Sequence, residues 1–241
     1  MKRRALVLFG GTMRGAFLVG VMKSIYHSLG TGYFDSIFSY SVGIFEQVFF
    51  AADQPKTMEK TWREYVHGNQ LINFSNPFRG KPILDLDYLV DIFQSEKSFL
   101  RTENILASKA NLFVFLTDYV SRQPKVLDIK EYNVFDVMKA ACALPIIYPK
   151  PVLLNGRRYV DGWLSPIKPF RELFKGVTKD FDEILAVISY PKHARVDGLA
   201  RVISPSKMPL LGMMDTNQER IIATIKQGEI DGQRYIQSIV N

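Results

Sequence analysis

The sequence of 241 residues holds one cysteine, Cys142, and three histidines, His27, His67 and His193. A single cysteine excludes an intrachain disulfide framework and fits a reducing compartment. Cys142 sits in the apolar run Met138-Lys139-Ala140-Ala141-Cys142-Ala143-Leu144, so it reads as a buried core residue and not as a nucleophile. Long apolar spans are missing as well. Met1-Lys2-Arg3-Arg4 opens in the manner of a signal sequence, but Gly10 and Gly11 break the hydrophobic run and Arg14 interrupts the stretch that resumes. No span reaches the roughly 18 apolar residues of a membrane-crossing helix, and the expectation is an unexported, cytoplasmic chain. Internal repeats and low-complexity tracts are absent. No stretch interleaves Arg or Lys with aromatic residues in the way of a nucleic-acid strip, so nucleic acid is not expected as a partner.

The composition, 47% hydrophobic and 23% charged, is that of a globular protein. The length suits one α/β domain over residues 1–241. The formal charge is +7, from 31 Lys and Arg against 24 Asp and Glu. Most of that surplus reads as solvated surface, and it is compatible with peripheral contact with an anionic membrane.

Ala5 to Phe9 is a continuous apolar run of the kind buried in a parallel sheet. Apolar residues at Phe17, Leu18, Val21, Ile25 and Leu29 then suit a helix ending near Gly30. Ile37 to Tyr40 reads as the next strand, with a helix over Val42 to Ala52. Alternation of this kind argues for a mostly parallel sheet with helices on both faces. From about 54 to 106 the strand signal fades into helical spacing, at Met58 to Val66 and Leu86 to Phe93, around a turn at Asn73-Phe74-Ser75-Asn76-Pro77. This helical insertion is either a wall of a substrate cleft or an ordinary crossover. Strands resume at Leu112 to Thr117 and Lys125 to Ile129, followed by a helix from Val134 to Ala143. Pro151 to Val160 is a hairpin about Asn155-Gly156, and it delivers Asp161-Gly162 at its end. Glu183 to Ser189 is a further buried strand, Pro191 to Pro209 reads as loop, and a long helix spans Thr216 to Ile239.

Two glycine-punctuated turns carry the chemistry. In Phe9-Gly10-Gly11-Thr12-Met13-Arg14-Gly15 a strand ends in a turn that opens a helix, gathering backbone N–H groups where negative charge can be held. In Ser39-Tyr40-Ser41-Val42-Gly43 a nucleophile elbow would present the Ser41 hydroxyl. An anion cradle beside an exposed serine is what acyl transfer requires, which makes a serine hydrolase the leading reading and Ser41 its nucleophile. Gly10 and Gly11 would let the backbone approach an ester oxygen, with the Gly11 and Thr12 N–H groups facing the developing charge. The base is then Asp161, at the end of a hairpin strand, or His193, which follows in Ser…Asp…His order; His27 and His67 read as surface or structural. A nucleotide-phosphate loop at the first turn is the competing reading, disfavoured by the lack of Gly-x-Gly-x-x-Gly or Gly-Lys-Ser/Thr spacing.

Taken together, these motifs resemble the patatin-like phospholipases. Their glycine-rich oxyanion motif with its arginine is similar to Gly10-Gly11-Thr12-Met13-Arg14-Gly15, their elbow to Ser39-Tyr40-Ser41-Val42-Gly43, and their Asp-Gly motif to Asp161-Gly162. Ala140-Ala141-Cys142-Ala143-Leu144-Pro145 leading to Gly156-Arg157-Arg158-Tyr159-Val160-Asp161-Gly162 is similar in order and spacing. The resemblance covers about Ala5 to Ser189. It implies a three-layer α/β/α fold, lipid acyl esters as substrate, a Ser41–Asp161 dyad, an oxyanion hole from Gly10, Gly11 and Thr12 with Arg14 bracing that loop, and neither metal nor cofactor. The sequence departs from the family pattern at Ser39, Thr12 and Trp163, where smaller residues are usual. A catalytically impaired relative that binds lipid through the same cleft is the alternative.

Overall fold

The structure, a computed structural model, describes residues 2–191, 195–207 and 211–240. The chain opens with β1 (Arg4–Phe9), a short 3-10 turn over Thr12–Gly15, α1 (Ala16–Leu29) and β2 (Ser36–Tyr40). It continues through α2 (Gly43–Ala51), α3 (Pro55–Glu64), α4 (Leu86–Gln94) and α5 (Thr102–Ala107) to β3 (Asn111–Asp118). Then follow β4 (Pro124–Asp128), α6 (Val134–Cys142), the hairpin β5 (Val152–Leu154) and β6 (Arg157–Asp161), and α7 (Ile167–Thr178). The last elements are β7 (Glu183–Ile188), β8 (Arg201–Ile203) and α8 (Gln218–Val240). Two of these differ from the sequence reading. The segment 191–209 contains strand β8, and α7 occupies a stretch in which no element was expected.

The strand order is β5-β6-β3-β2-β1-β7-β8, with β4 also on β3. The pairs β1–β2, β1–β7, β2–β3 and β7–β8 are parallel, and the pairs among β3, β4, β5 and β6 are antiparallel. Central strands are buried on both faces, which is why β1 reads as an unbroken apolar run from Ala5 to Phe9, whereas β2, equally buried, carries Ser36 and Ser39 among its apolar residues. Leu6 and Leu8 point into the larger core, shared with α1, α2, α3, α4 and α6. Ala5, Val7 and Phe9 point the other way, where α7 covers the sheet with Phe170 and Phe174. The result is a three-layer α/β/α architecture.

One detail of register positions the site. β3 pairs with β2 over Asn111–Phe115 and with β6 over Leu116–Asp118, while β4 occupies Phe113–Thr117. Because β4 spans both ranges, β2 and β6 must share the opposite edge of β3. β6 therefore takes over where β2 stops, and the end of β6 meets the turn that leaves β2.

Candidate active site

That junction brings Ser41 and Asp161 together. The Ser41 hydroxyl donates to Asp161 Oδ2 at 2.7 Å, in a buried pair 120 residues apart in sequence. Ser41 has φ +55°, a left-handed conformation that a non-glycine residue holds only where its surroundings enforce it. Enforcement comes from both sides. The Ile44 N–H donates back to the Ser41 carbonyl at 3.1 Å, and Gly43 packs onto β1 so closely that any Cβ there would strike the Leu8 carbonyl. Ser39, by contrast, lies within β2 in register with Leu8 and Val114. No unusual backbone angle is required there, and serine serves as well as glycine.

Asp161 is fully buried. Its Oδ1 accepts the Trp163 N–H at 2.9 Å, and the β3 side chain Thr117 bonds the Asp161 carbonyl at 2.9 Å. Burial pushes the carboxyl up from 3.8 to about 7, against the opposing pull of the Trp163 N–H, the Ser41 hydroxyl and the positive charge of Arg195. A carboxylate with that value is half ionised at neutral pH and can exchange a proton with the serine it touches.

Arg195 is the residue that sequence reasoning missed. It is buried, and its Nη2 donates to the Trp163 and Ser165 carbonyls at 2.8 and 2.7 Å. Its guanidinium lies over the rings of Tyr40, Trp163 and Phe170. Arg195 thus clamps the turn whose N–H holds Asp161 and supplies the only nearby cationic field among the described residues. His193, the alternative base, lies outside the described residues.

The glycine turn stands on the other side of Ser41. The Gly10 N–H is taken by the Tyr40 carbonyl at 3.0 Å, so Gly10 extends the sheet instead of offering a donor. Its role is space, since a Cβ there would stand 2.7 Å from Val42 N. The N–H groups of Gly11, Thr12 and Val42 donate no hydrogen bond among the described residues. Val42, directly after the elbow serine, was not foreseen as a donor, although that position commonly supplies one. Thr12 has φ +52°, which explains why glycine is usual there and implies backbone strain of about 1–3 kcal/mol. Arg14 reaches away from the turn: its Nε donates to the Leu211 carbonyl at 3.3 Å and its guanidinium lies 4.8 Å from the centre of the Tyr190 ring. With the Met13 N–H on the Met213 carbonyl at 3.1 Å, it ties the loop to two other segments.

Two cavities meet at Ser41, Thr12 and Leu144. The outer cleft, about 430 Å³, is lined by Gly10, Gly11, Arg14, Asp161, Trp163 and residues of 144–147, 189–190 and 213–214. The Trp163 ring forms part of its mouth, 54% exposed, and does not fill it. The inner pocket, about 30 Å³, is almost wholly apolar, and α3 and α4 wall it through Met58, Trp62, Leu89 and Phe93. Behind that wall, fully buried Glu46 accepts the Trp62 indole N–H at 2.9 Å. Burial pushes the Glu46 carboxyl up to about 8, and its Oε2 has no partner. The polar pair Glu46-Gln47 inside an otherwise apolar helix was a legible but unread signal. Among the described residues no three His, Cys, Asp or Glu side chains converge on a point that could hold a metal ion.

A central sheet whose middle strands run parallel, with a strained serine turn beside an apolar pocket, defines the class as a three-layer α/β fold. The model of the patatin-like phospholipase family matches residues 6–173, and the chain belongs to that family. Over 172 residues it is 27% identical to the uncharacterized protein YjjU of Escherichia coli (strain K12), taking in 70% of this chain and 48% of that protein. The chain therefore spans about half the length of that relative. VipD from Legionella pneumophila shares the fold with a TM-score of 0.59 at 10% identity, over 99% of this chain and 67% of that one. ExoU, in the ExoU–SpcU complex of the Pseudomonas aeruginosa type III secretion system, shares it at 0.50 and 12% identity, over 98% and 52%. Among the described residues no helix is long and apolar enough to cross a membrane.

Proposed function

We propose that the protein is a serine-dependent lipid acyl hydrolase, of phospholipase, lysophospholipase or carboxylesterase type, working through Ser41 and Asp161. The observation that carries this reading is the 2.7 Å hydrogen bond from Ser41 to the buried Asp161, whose carboxyl burial raises to about 7, at the point where an apolar pocket opens into a wider cleft. The Ser41 oxygen attacks the ester carbonyl as its proton passes to Asp161. The resulting oxyanion is held by the Gly11 and Thr12 N–H groups, with Val42 a third donor; one such donor contributes about 2.7–4 kcal/mol to the transition state. Asp161 returns the proton to the departing alcohol, leaving an acyl-enzyme on Ser41. Water then attacks with Asp161 again as base, the fatty acid leaves, and Ser41 regains its proton. The apolar lining of the inner pocket matches an acyl chain in chemistry, its volume of about 30 Å³ has to widen to admit one, and the outer cleft takes the rest of the lipid. Arg14 braces the cleft through its contacts to Leu211 and Tyr190.

Turnover of p-nitrophenyl esters, with fluorophosphonate labelling, tests the reading. Wild type is expected to turn over and label, and Ser41→Ala to do neither while its thermal midpoint stays within a few degrees. A folded wild type that neither labels nor hydrolyses any ester would overturn the hydrolase reading and leave the lipid-binding relative with a disabled site as the alternative.

A further inference from the structure

We propose that the rim of the outer cleft is a docking face for an anionic lipid bilayer. The proposal rests on the hydrolase reading only for what the docking serves, since the surface stands on observations of its own.

The first is where the exposed apolar side chains lie. Ile146, 92% exposed, Trp163, Tyr190 and Met213 all belong to the lining of the outer cleft and all turn toward solvent. A second apolar tip stands beside them. Ile72 and Leu84 form an isolated bridge, and the Leu84 N–H donates to the Ile147 carbonyl at 2.9 Å. The loop between them, carrying Phe74 and Phe78, is thereby rooted next to Ile146. Phe78 is 93% exposed, the highest value of any large apolar side chain described. A cleft needs apolar lining, but it gains nothing from apolar side chains directed outward along its rim.

The second observation is charge. Residues 144–158 and 163–171, which supply the lining residues 144–147 and 163–164 or continue from them, and the loop 73–84 tied to Ile147 contain seven Arg or Lys and no Asp or Glu, while Asp215, beside the lining residues 213–214, is paired with Arg220. Arg79, Lys81, Lys150 and Lys168 are exposed, and none forms an ion pair among the described residues. Cations without protein partners beside aliphatic and aromatic tips match the boundary of an anionic bilayer, where headgroups take the charges and the acyl region takes the tips. A nucleic acid would use the cations and leave Ile146 and Phe78 in water. Trp163, with an apolar ring and a polar N–H, suits the interfacial layer. Docking on this face sets the mouth of the cleft, and Ser41 behind it, against the lipid surface.

Sedimentation with vesicles tests the surface without relying on hydrolysis. Ser41→Ala protein is mixed with vesicles of phosphatidylcholine alone and of phosphatidylcholine with phosphatidylglycerol in equal parts. Binding is expected only to the anionic vesicles and should weaken with added salt. In that background Arg79→Glu and Lys150→Glu should each reduce the affinity about fivefold or more, and Phe78→Ser several-fold. None of these three residues lines either cavity. In the otherwise wild-type chain they should leave the rate on a water-soluble short-chain ester unchanged, while slowing hydrolysis of vesicle lipid. Equal binding to neutral and anionic vesicles, no binding to either, or variants that bind as their parent does would overturn the proposal. A protein silent on every ester that still sediments with anionic vesicles retains the docking face and loses the hydrolase reading.

Discussion

Asp161 and Glu46 are the two carboxylates with no solvent exposure among the described residues, and burial raises both, to about 7 and about 8. Their surroundings separate them. Asp161 accepts a hydrogen bond on each oxygen, lies in the field of Arg195 and borders the outer cleft. Glu46 has Trp62 as its side-chain partner, carries an oxygen with none, and borders neither cavity. Desolvation by itself gives a neutral acid locked into the core. Set against donors, a cation and an opening to the outer cleft, the same desolvation gives a carboxyl that ionises close to neutrality, as the proposed base requires. A raised carboxyl is thus a sign of burial first and of chemistry only when partners and access accompany it.

The sharpest break of this comparison is the isosteric pair Asp161→Asn and Glu46→Gln. Asp161→Asn removes the proton acceptor and should lower kcat/KM on a soluble ester by about a thousandfold. Glu46→Gln keeps an acceptor for the Trp62 N–H and should stay within about threefold of wild type. Equal collapse of both would show that burial and not contact with Ser41 is what matters. The next effect is on pH dependence. Activity should rise through about pH 7 as Asp161 ionises. Tyr40 and Cys142 also face Asp161, but burial pushes the ionisation of both up and keeps them neutral there. Arg195 is the charged neighbour that remains. Arg195→Met should therefore move the rise to higher pH by about half a unit or more, and Arg195→Lys should restore most of it. A pH profile that stays in place while activity falls would reduce Arg195 to a structural clamp.

The sequence carried the frame of this site because the frame is built from local signals. β1 is buried on both faces and so is written as an apolar run, β2 is announced by Ile37, Phe38 and Tyr40, and the turns after them are written in glycine and serine. The residues themselves left the partner of Ser41 open between Asp161 and His193, and the resemblance chose Asp161; the physical cause of the pairing is the register by which β6 succeeds β2 along β3, a relation between strands more than a hundred residues apart. Arg195 was hidden for a different reason. A lone arginine in the polar stretch after Tyr190 looks solvated, and what accounts for its burial, the carbonyls of Trp163 and Ser165 and the rings of Tyr40, Trp163 and Phe170, lies far away in sequence. The helix α7 was overlooked although Ile167, Phe170, Phe174 and Val177 have helical spacing; Pro166 and Pro169 read as loop but fall before and within its first turn, where proline is tolerated. Strand β8, three residues long, has too few positions to show a period.

Stability gives a third way to separate the two carboxylates. Below about pH 4.5, Glu46 is protonated in both the folded and the unfolded chain. Between there and about pH 8 the unfolded chain releases a proton that the native protein retains. Stability contributed by the raised value is therefore present at low pH and is lost as pH rises through about 8. Glu46→Gln cannot ionise. Its thermal midpoint should match that of wild type at pH 5 and exceed it by several degrees at pH 9, at about 2–4 °C per kcal/mol for a chain of this size. Calorimetry at the two pH values measures the crossing. A variant that is less stable at both would mean that Glu46 is held in place by its ionised form.

The smallest effect belongs to Cys142, which lies near both carboxylates and lines the inner pocket. Burial pushes its thiol well above the usual range, and the negative fields of Asp161 and Glu46 add to that. Since the thiolate is the reactive form, the side chain should behave as a small apolar filler. Iodoacetamide should leave the native protein unmodified over hours and label it once unfolded. Cys142→Ala removes one sulfur atom from the pocket wall and should cost about 1 kcal/mol of stability, with ester turnover within about threefold of wild type. The larger pocket would then admit an acyl chain more readily than the native one, so any change in rate should favour longer esters. Rapid labelling of the native thiol would instead mean that the carboxylates beside it are screened by solvent, and the contrast between a silent acid at Glu46 and a working base at Asp161 would lose the dry surroundings on which it depends.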